Sequence, residues 1–64
     1  MLVKQDLIDC LCGMYKEWKQ IDKVPSYIVE SWNNCSVISL VDDIKIWRVK
    51  HPEIYANNNP GILF

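Results

Sequence analysis

The chain has 64 residues, a formal net charge of −1 and 50% apolar residues. A single domain is the most that this length holds, and a domain of about 60 residues buries only about 60% of its unfolded surface, so we expect additional support. The near-neutral charge excludes the strongly basic class of nucleic-acid binders, and the apolar content excludes an intrinsically disordered chain.

The three cysteines are an odd number, which argues against a disulfide framework. No secretory pattern opens the sequence, and no apolar run approaches the roughly 20 residues that span a bilayer. We therefore expect a reduced, cytoplasmic setting without membrane contact. Self-association, most simply as a homodimer, is the expected source of additional stability.

The first predicted helix is the longest. Its apolar positions run from Val3 to Ile21 with a 4-4-3-4-3 spacing, which keeps one side of an α-helix apolar. Gly13 lies on the polar side, where it is interpreted as a tolerated surface glycine in preference to a close helix crossing. The apolar side is predicted to supply both the core and the seam of a dimer. The seam residues are Leu7, Leu11, Met14 and Trp18.

A short second helix is predicted over residues 25–33. Its start is indicated by Pro25, because the residue before a proline leaves the α region and proline suits the first helical position. Ile28 and Trp32 follow at helical spacing. Asn33 and Asn34 predict a left-handed stop, since asparagine tolerates positive φ.

Residues 37–41 are rich in β-branched side chains and fit either a helix or a buried strand. A third helix is favoured because Ser39 and Asp42 resemble a capping pair, and because a lone strand would lack a partner strand. Pro52 ends or kinks this helix and can begin a further short turn. Its apolar stripe consists of Leu40, Ile44, Trp47 and His51.

These elements predict an all-α fold, a small three-helix domain over residues 1–56. Residues 57–64 are predicted to be a flexible C-terminal tail, because their Asn-Asn-Asn-Pro-Gly run favours turns. The apolar tripeptide that ends the tail either folds back on the core or docks on a partner.

Nothing in the sequence indicates a reaction or a ligand. Cys10, Cys12, Cys35 and His51 have the residue types of a zinc site, but Cys10 and Cys12 lie about 200° apart on a helix. A cysteine nucleophile would also need a pocket that excludes water, for which so short a chain has little depth. We therefore predict no enzymatic activity, no metal and no cofactor.

Aromatic residues are numerous for so small a core, and tryptophan and tyrosine are enriched in interaction hot spots. We predict a non-enzymatic interaction module, a small regulatory or inhibitory protein that presents a helix face to a larger protein. In size and lack of motifs the chain is similar to accessory proteins of phages and mobile elements. The predicted partner contacts are Trp32, Trp47, Tyr55, Ile62, Leu63 and Phe64.

The alternative is a helix-turn-helix-like DNA-binding regulator. A short helix, an Asn-Asn turn and a third helix match that outline. However, Asp42 and Asp43 would lie where a recognition helix reads bases, and DNA phosphates repel them. The basic residues that would contact nucleic acid are Lys45, Arg48 and Lys50.

Overall fold

A computed structural model describes residues 3–58, which form four α-helices and no β-strand. The predicted all-α fold is confirmed, and residues 37–41 are helical. The short turn expected at Pro52 is a fourth helix of seven residues. Within residues 3–58, no helix combines the length and the apolar character needed to cross a membrane. The helices are α1 (Lys4–Lys19), α2 (Ser26–Asn33), α3 (Val37–Lys50) and α4 (Pro52–Asn58).

α1 ends in a left-handed residue that is not glycine. Gln20 has φ 58° and ψ 48°, the single positive φ of a non-glycine residue in the described part of the chain. This conformation turns the chain so that the N–H of Ile21 donates to the carbonyl of Lys16 at 3.1 Å. Because Gln20 carries a β-carbon, this ending costs about 1 kcal/mol of local conformational energy.

α2 begins and ends differently from the prediction. Pro25 is its N-cap and lies just outside the helix, and its carbonyl accepts the N–H of Ile28 at 3.1 Å. Asn34, the C-cap, has φ −86° and ψ −8°. This conformation is right-handed, so the predicted left-handed stop is wrong.

The N-cap of α3 lies three residues before Ser39, the first residue of the predicted capping pair. The Oγ of Ser36 accepts the backbone N–H of Ser39 at 3.2 Å, which makes Ser36 the N-cap. At the other end, the N–H of His51 donates to the carbonyl of Trp47 at 2.7 Å. Pro52 then begins α4, since its missing N–H is no loss in the first turn of a helix.

The core lies between α1, α3 and α4, and α2 packs on α1. α2 contributes no buried residue to the core. The Lys4 ammonium at the start of α1 donates a hydrogen bond to the carbonyl of Asn33 at the end of α2 and so links the two helices. The reversal at Pro52 folds α4 back onto α1 and α3. The buried cluster consists of Leu7, Ile8, Cys10, Leu11, Met14, Leu40, Ile44 and Tyr55.

α1 and α4 cross closely at Gly13. A β-carbon on Gly13 would lie 2.5 Å from Oδ1 and 3.2 Å from Cγ of Asn58. The Asn58 amide donates to the Ile54 carbonyl at 2.9 Å and to Glu17 Oε1 at 3.3 Å, while the Asn57 amide donates to Glu17 Oε2 at 3.2 Å. Gly13 therefore leaves room for this polar contact, and its interpretation as a plain surface glycine is wrong.

The effect of Gly13→Ala should depend on Asn58. In an exposed helix this change stabilises by about 1 kcal/mol, but here the new methyl group displaces the Asn58 amide from hydrogen bonds worth about 1 kcal/mol each. We expect Gly13→Ala to leave the free energy of unfolding unchanged or lower it in the wild type, and to raise it by about 1 kcal/mol in an Asn58→Ala background. Urea denaturation of the wild type, the two single variants and the double variant measures the energetic coupling between residues 13 and 58. Equal effects in both backgrounds would contradict the close crossing.

Candidate functional site

α3 is apolar on two opposite sides. Leu40 and Ile44 face the core and are fully buried. On the other side, Ile38 and Val49 are 74% and 80% exposed. At about 100° of rotation per residue, Ile38 and Val49 lie about 20° apart, and Val49 lies about 180° from Leu40. One side of α3 therefore completes the core and the other points into solvent.

We call this second side the outer face of α3. Ile46 extends it and is 52% exposed. An open groove of about 310 Å³ runs along its C-terminal half, with apolar walls and a lysine near each end, and is lined by Lys45, Ile46, Val49 and Lys50. The residues that form the outer face are Ile38, Asp42, Lys45, Ile46 and Val49.

The outer face is absent from the site predicted from the sequence. Residues 38, 42, 46 and 49 follow a 4-4-3 spacing, which is as helical as that of the core stripe. This second stripe was the signal that could have revealed the face. Asp42 interrupts its apolar character, and helical periodicity alone does not distinguish which of two stripes lies inside.

The three tryptophans, one each from α1, α2 and α3, meet in one aromatic cluster. The rings of Trp18 and Trp47 pack edge to face, with centroids 5.5 Å apart. The ring centroid of Tyr15 lies 6.0 Å from that of Trp18 and 6.2 Å from that of Trp32, and both contacts are edge to face. The His51 ring lies 5.8 Å from Trp18 and 5.1 Å from Trp47. Such ring pairs stabilise a fold by about 0.5–1.5 kcal/mol each, so the cluster stabilises the packing of α2 and α3 on α1.

Trp18 is the exposed member of this cluster. Its side chain is 45% exposed, and the Lys19 ammonium lies 4.3 Å from the centre of its ring in a cation–π contact. Two of the predicted partner contacts, Trp32 and Trp47, are half-buried and pack against the core. We call the patch formed by Trp18, Lys19 and the neighbouring edges of Trp47 and His51 the aromatic surface.

The predicted dimer seam on α1 is occupied by the core of the chain itself. Leu7, Leu11 and Met14 are at most 1% exposed. Of the four seam residues, Trp18 alone has an accessible side chain. A seam must reach a second copy, so these three buried side chains cannot form one without opening the core.

The other predicted partner contacts divide between the core and the tail. Tyr55 is buried in the core, because α4 folds back onto α1 and α3 and carries the ring inward. It is therefore inaccessible to a partner in this structure. The remaining three, Ile62, Leu63 and Phe64, lie outside the described residues.

The predicted nucleic-acid contacts do not share one side of α3. Lys45, Arg48 and Lys50 are all exposed. By helical geometry Lys45 and Arg48 are about 60° apart, and Lys50 is about 140° or more from either. A helix that reads DNA needs its basic residues along the side that faces the groove, whereas the outer face of α3 is largely apolar.

The structure favours the protonated form of two of the three thiols. Burial raises the pKa of the Cys10 thiol. Burial also raises the pKa of the Cys12 thiol; the Asp9 carboxylate raises it further, and the Lys16 ammonium partly opposes the shift. Protonated thiols are poor nucleophiles and poor metal ligands. Cys35 donates a hydrogen bond to a carbonyl of α2 at 3.2 Å. Within residues 3–58, no group of three His, Cys, Asp or Glu side chains is placed to hold a metal ion.

Comparison with known proteins gives no relative for this chain. No protein-family model matches it, and no curated protein or solved structure shows significant similarity. Function is therefore inferred from the outer face of α3 and the aromatic surface themselves.

The two sides of α3 should respond differently to truncation. Leu40→Ala removes buried methyl groups and should lower the free energy of unfolding by about 2–5 kcal/mol. Val49→Ala removes methyl groups that are already in water and should change it by less than about 0.5 kcal/mol. Thermal unfolding followed by circular dichroism at low protein concentration measures both. A loss for Val49→Ala as large as that for Leu40→Ala would place Val49 in the core.

Proposed function

We propose that the chain is a non-enzymatic protein–protein interaction module that acts through the outer face of α3. The observation that carries this proposal is the exposure of Ile38, Ile46 and Val49 on a helix whose opposite side completes the core. Burial of one exposed aliphatic side chain yields about 1.5–3 kcal/mol. Three on one face therefore supply a substantial driving force for binding.

The arrangement of these residues supports a binding role. Single exposed apolar side chains are normal on protein surfaces and need no explanation. Here three of them follow one side of one helix, and two of the three, Ile46 and Val49, line an apolar groove. An amphipathic helix face is one of the recurrent ways in which proteins recognise each other.

Other features favour binding over catalysis. The groove beside Val49 is open to solvent. A second groove of about 290 Å³, lined by residues 50–54, is open as well. Catalysis by a thiol or a histidine requires a site that excludes water. The raised pKa values of the Cys10 and Cys12 thiols and the packing of the His51 ring against two tryptophans point in the same direction.

The aromatic surface is the proposed contact for a larger protein. Trp18 combines a large apolar ring with the charge of Lys19, and tryptophan is strongly enriched among interaction hot spots. Trp47 lies about 160° from Val49 around α3, so the two surfaces can be occupied at the same time. A chain that covers part of a larger protein in this way would regulate or inhibit it. We place this function in the cytoplasm, which the three free cysteines support.

Site-specific photo-crosslinking tests the interaction function. Ile46 is replaced by p-benzoylphenylalanine, which reacts with any protein held against the outer face. We expect irradiation of producing cells to give discrete adducts, because a docked partner keeps the same groups beside the probe. Gel electrophoresis followed by mass spectrometry of the adducts measures their size and identity.

The matched control carries the same probe at Ser26, which is exposed at the start of α2. It should give no discrete adduct, since it lies outside both proposed surfaces. Adducts that are absent at position 46, or equally abundant at position 26, would contradict the proposed function.

A further inference from the structure

We infer that the partner of the outer face of α3 is a second copy of this chain, with the two α3 helices packed antiparallel. This inference rests on the proposed function and adds the identity of one partner. It comes from the order of residues along the face. Apolar side chains stand at both ends and two opposite charges stand at the centre, in the sequence Ile38, Asp42, Lys45, Val49.

An antiparallel pair of these faces is complementary in a single register. When Ile38 lies opposite Val49 of the second copy, Asp42 lies opposite Lys45 of the second copy, and the two-fold axis repeats both contacts. Apolar groups then meet apolar groups at each end, and acid meets base twice at the centre. A two-fold interface requires this kind of self-complementarity.

A parallel pair of the same faces is unfavourable. Each side chain would then meet its own equivalent, so Asp42 would oppose Asp42 and Lys45 would oppose Lys45. Like charges held at contact distance repel, and such juxtaposition suppresses an arrangement that apolar contact alone would allow. The charge order therefore selects the antiparallel orientation.

The same register fills the groove of the outer face. The groove is lined by Lys45, Ile46, Val49 and Lys50, and Ile38 of the second copy lies at the height of Val49. An apolar side chain that is 74% exposed in one chain would thus enter an apolar groove in the other. A lysine ammonium has three donors, so Lys45 can reach the second copy and keep contacts in its own chain.

The contact should be weak and dependent on concentration. A helix of 14 residues is about 21 Å long, so one of its faces buries less than the roughly 800 Å² per partner of a standard stable interface. We therefore expect a dissociation constant in the micromolar range or weaker.

Charge reversal at the centre of the face tests the inference. Asp42→Lys and Lys45→Asp each turn two attractive contacts into two repulsive ones, so each variant should dimerise at least about tenfold more weakly than the wild type. In a 1:1 mixture, the first variant presents two lysines and the second two aspartates. The mixture should therefore form a heterodimer more tightly than either variant associates with itself. Sedimentation equilibrium under reducing conditions, up to about 1 mM protein, measures all of these constants.

Asp22→Lys and Lys23→Asp are the matched controls. They make the same changes in net charge at exposed positions between α1 and α2 and should dimerise as the wild type does. Circular dichroism verifies that each variant keeps its helical content.

Three results would overturn the inference: a wild-type chain that is monomeric at about 1 mM, single variants that associate as tightly as the wild type, or a mixture that associates no better than its components. A monomeric wild type whose Ile46 probe crosslinks a different protein would remove the second copy and leave the proposed function standing. Absence of any Ile46 adduct would contradict the proposed function itself.

Discussion

The packing of α1 against α3 is the contact on which the rest of this structure depends. α1 places the middle of its apolar stripe, Leu7, Leu11 and Met14, in the core of its own chain. α3 meets it with only one of its two apolar sides. This unequal use of the two helices leaves the outer face of α3 exposed and makes α1 unavailable as a dimer seam. A small domain has few ways to recover the stability of unburied apolar surface, and association is one of them.

Two surfaces with different chemistry follow from this arrangement. The outer face of α3 is aliphatic and carries one acid and one base near its centre, whereas the aromatic surface presents the half-exposed Trp18 beside Lys19. The first has the internal symmetry of a surface that pairs with itself. The second has no such order and suits a partner of different shape. If the chain pairs through the outer face of α3 as proposed, the pair would present two copies of the aromatic surface, which would increase the apparent affinity for a larger protein.

The first three helices could be predicted from the sequence because each has apolar residues at helical spacing, whereas α4 is predicted only as a short turn after Pro52. Leu40, Ile44 and Trp47 lie on the inner side of α3, as their spacing predicts. The function of the faces could not be predicted in the same way. Spacing indicates that a side is apolar but does not indicate what covers it. The stripe of α1 is therefore predicted to supply both the core and a dimer seam, and the second stripe, over residues 38–49, is not distinguished from it. The close crossing at Gly13 depends on Asn58, 45 positions away, and no local pattern contains that contact.

The most direct test of the central claim is a dilution series of two-dimensional ¹H–¹⁵N NMR spectra, from about 1 mM to about 20 μM protein. If the outer face of α3 pairs with itself, the amide signals that shift on dilution will belong to residues 38–49 and will be largest on the exposed side of the helix. The buried residues of α1 will stay unchanged. Signals that do not shift at all, or shifts that concentrate around Trp18, would contradict the account.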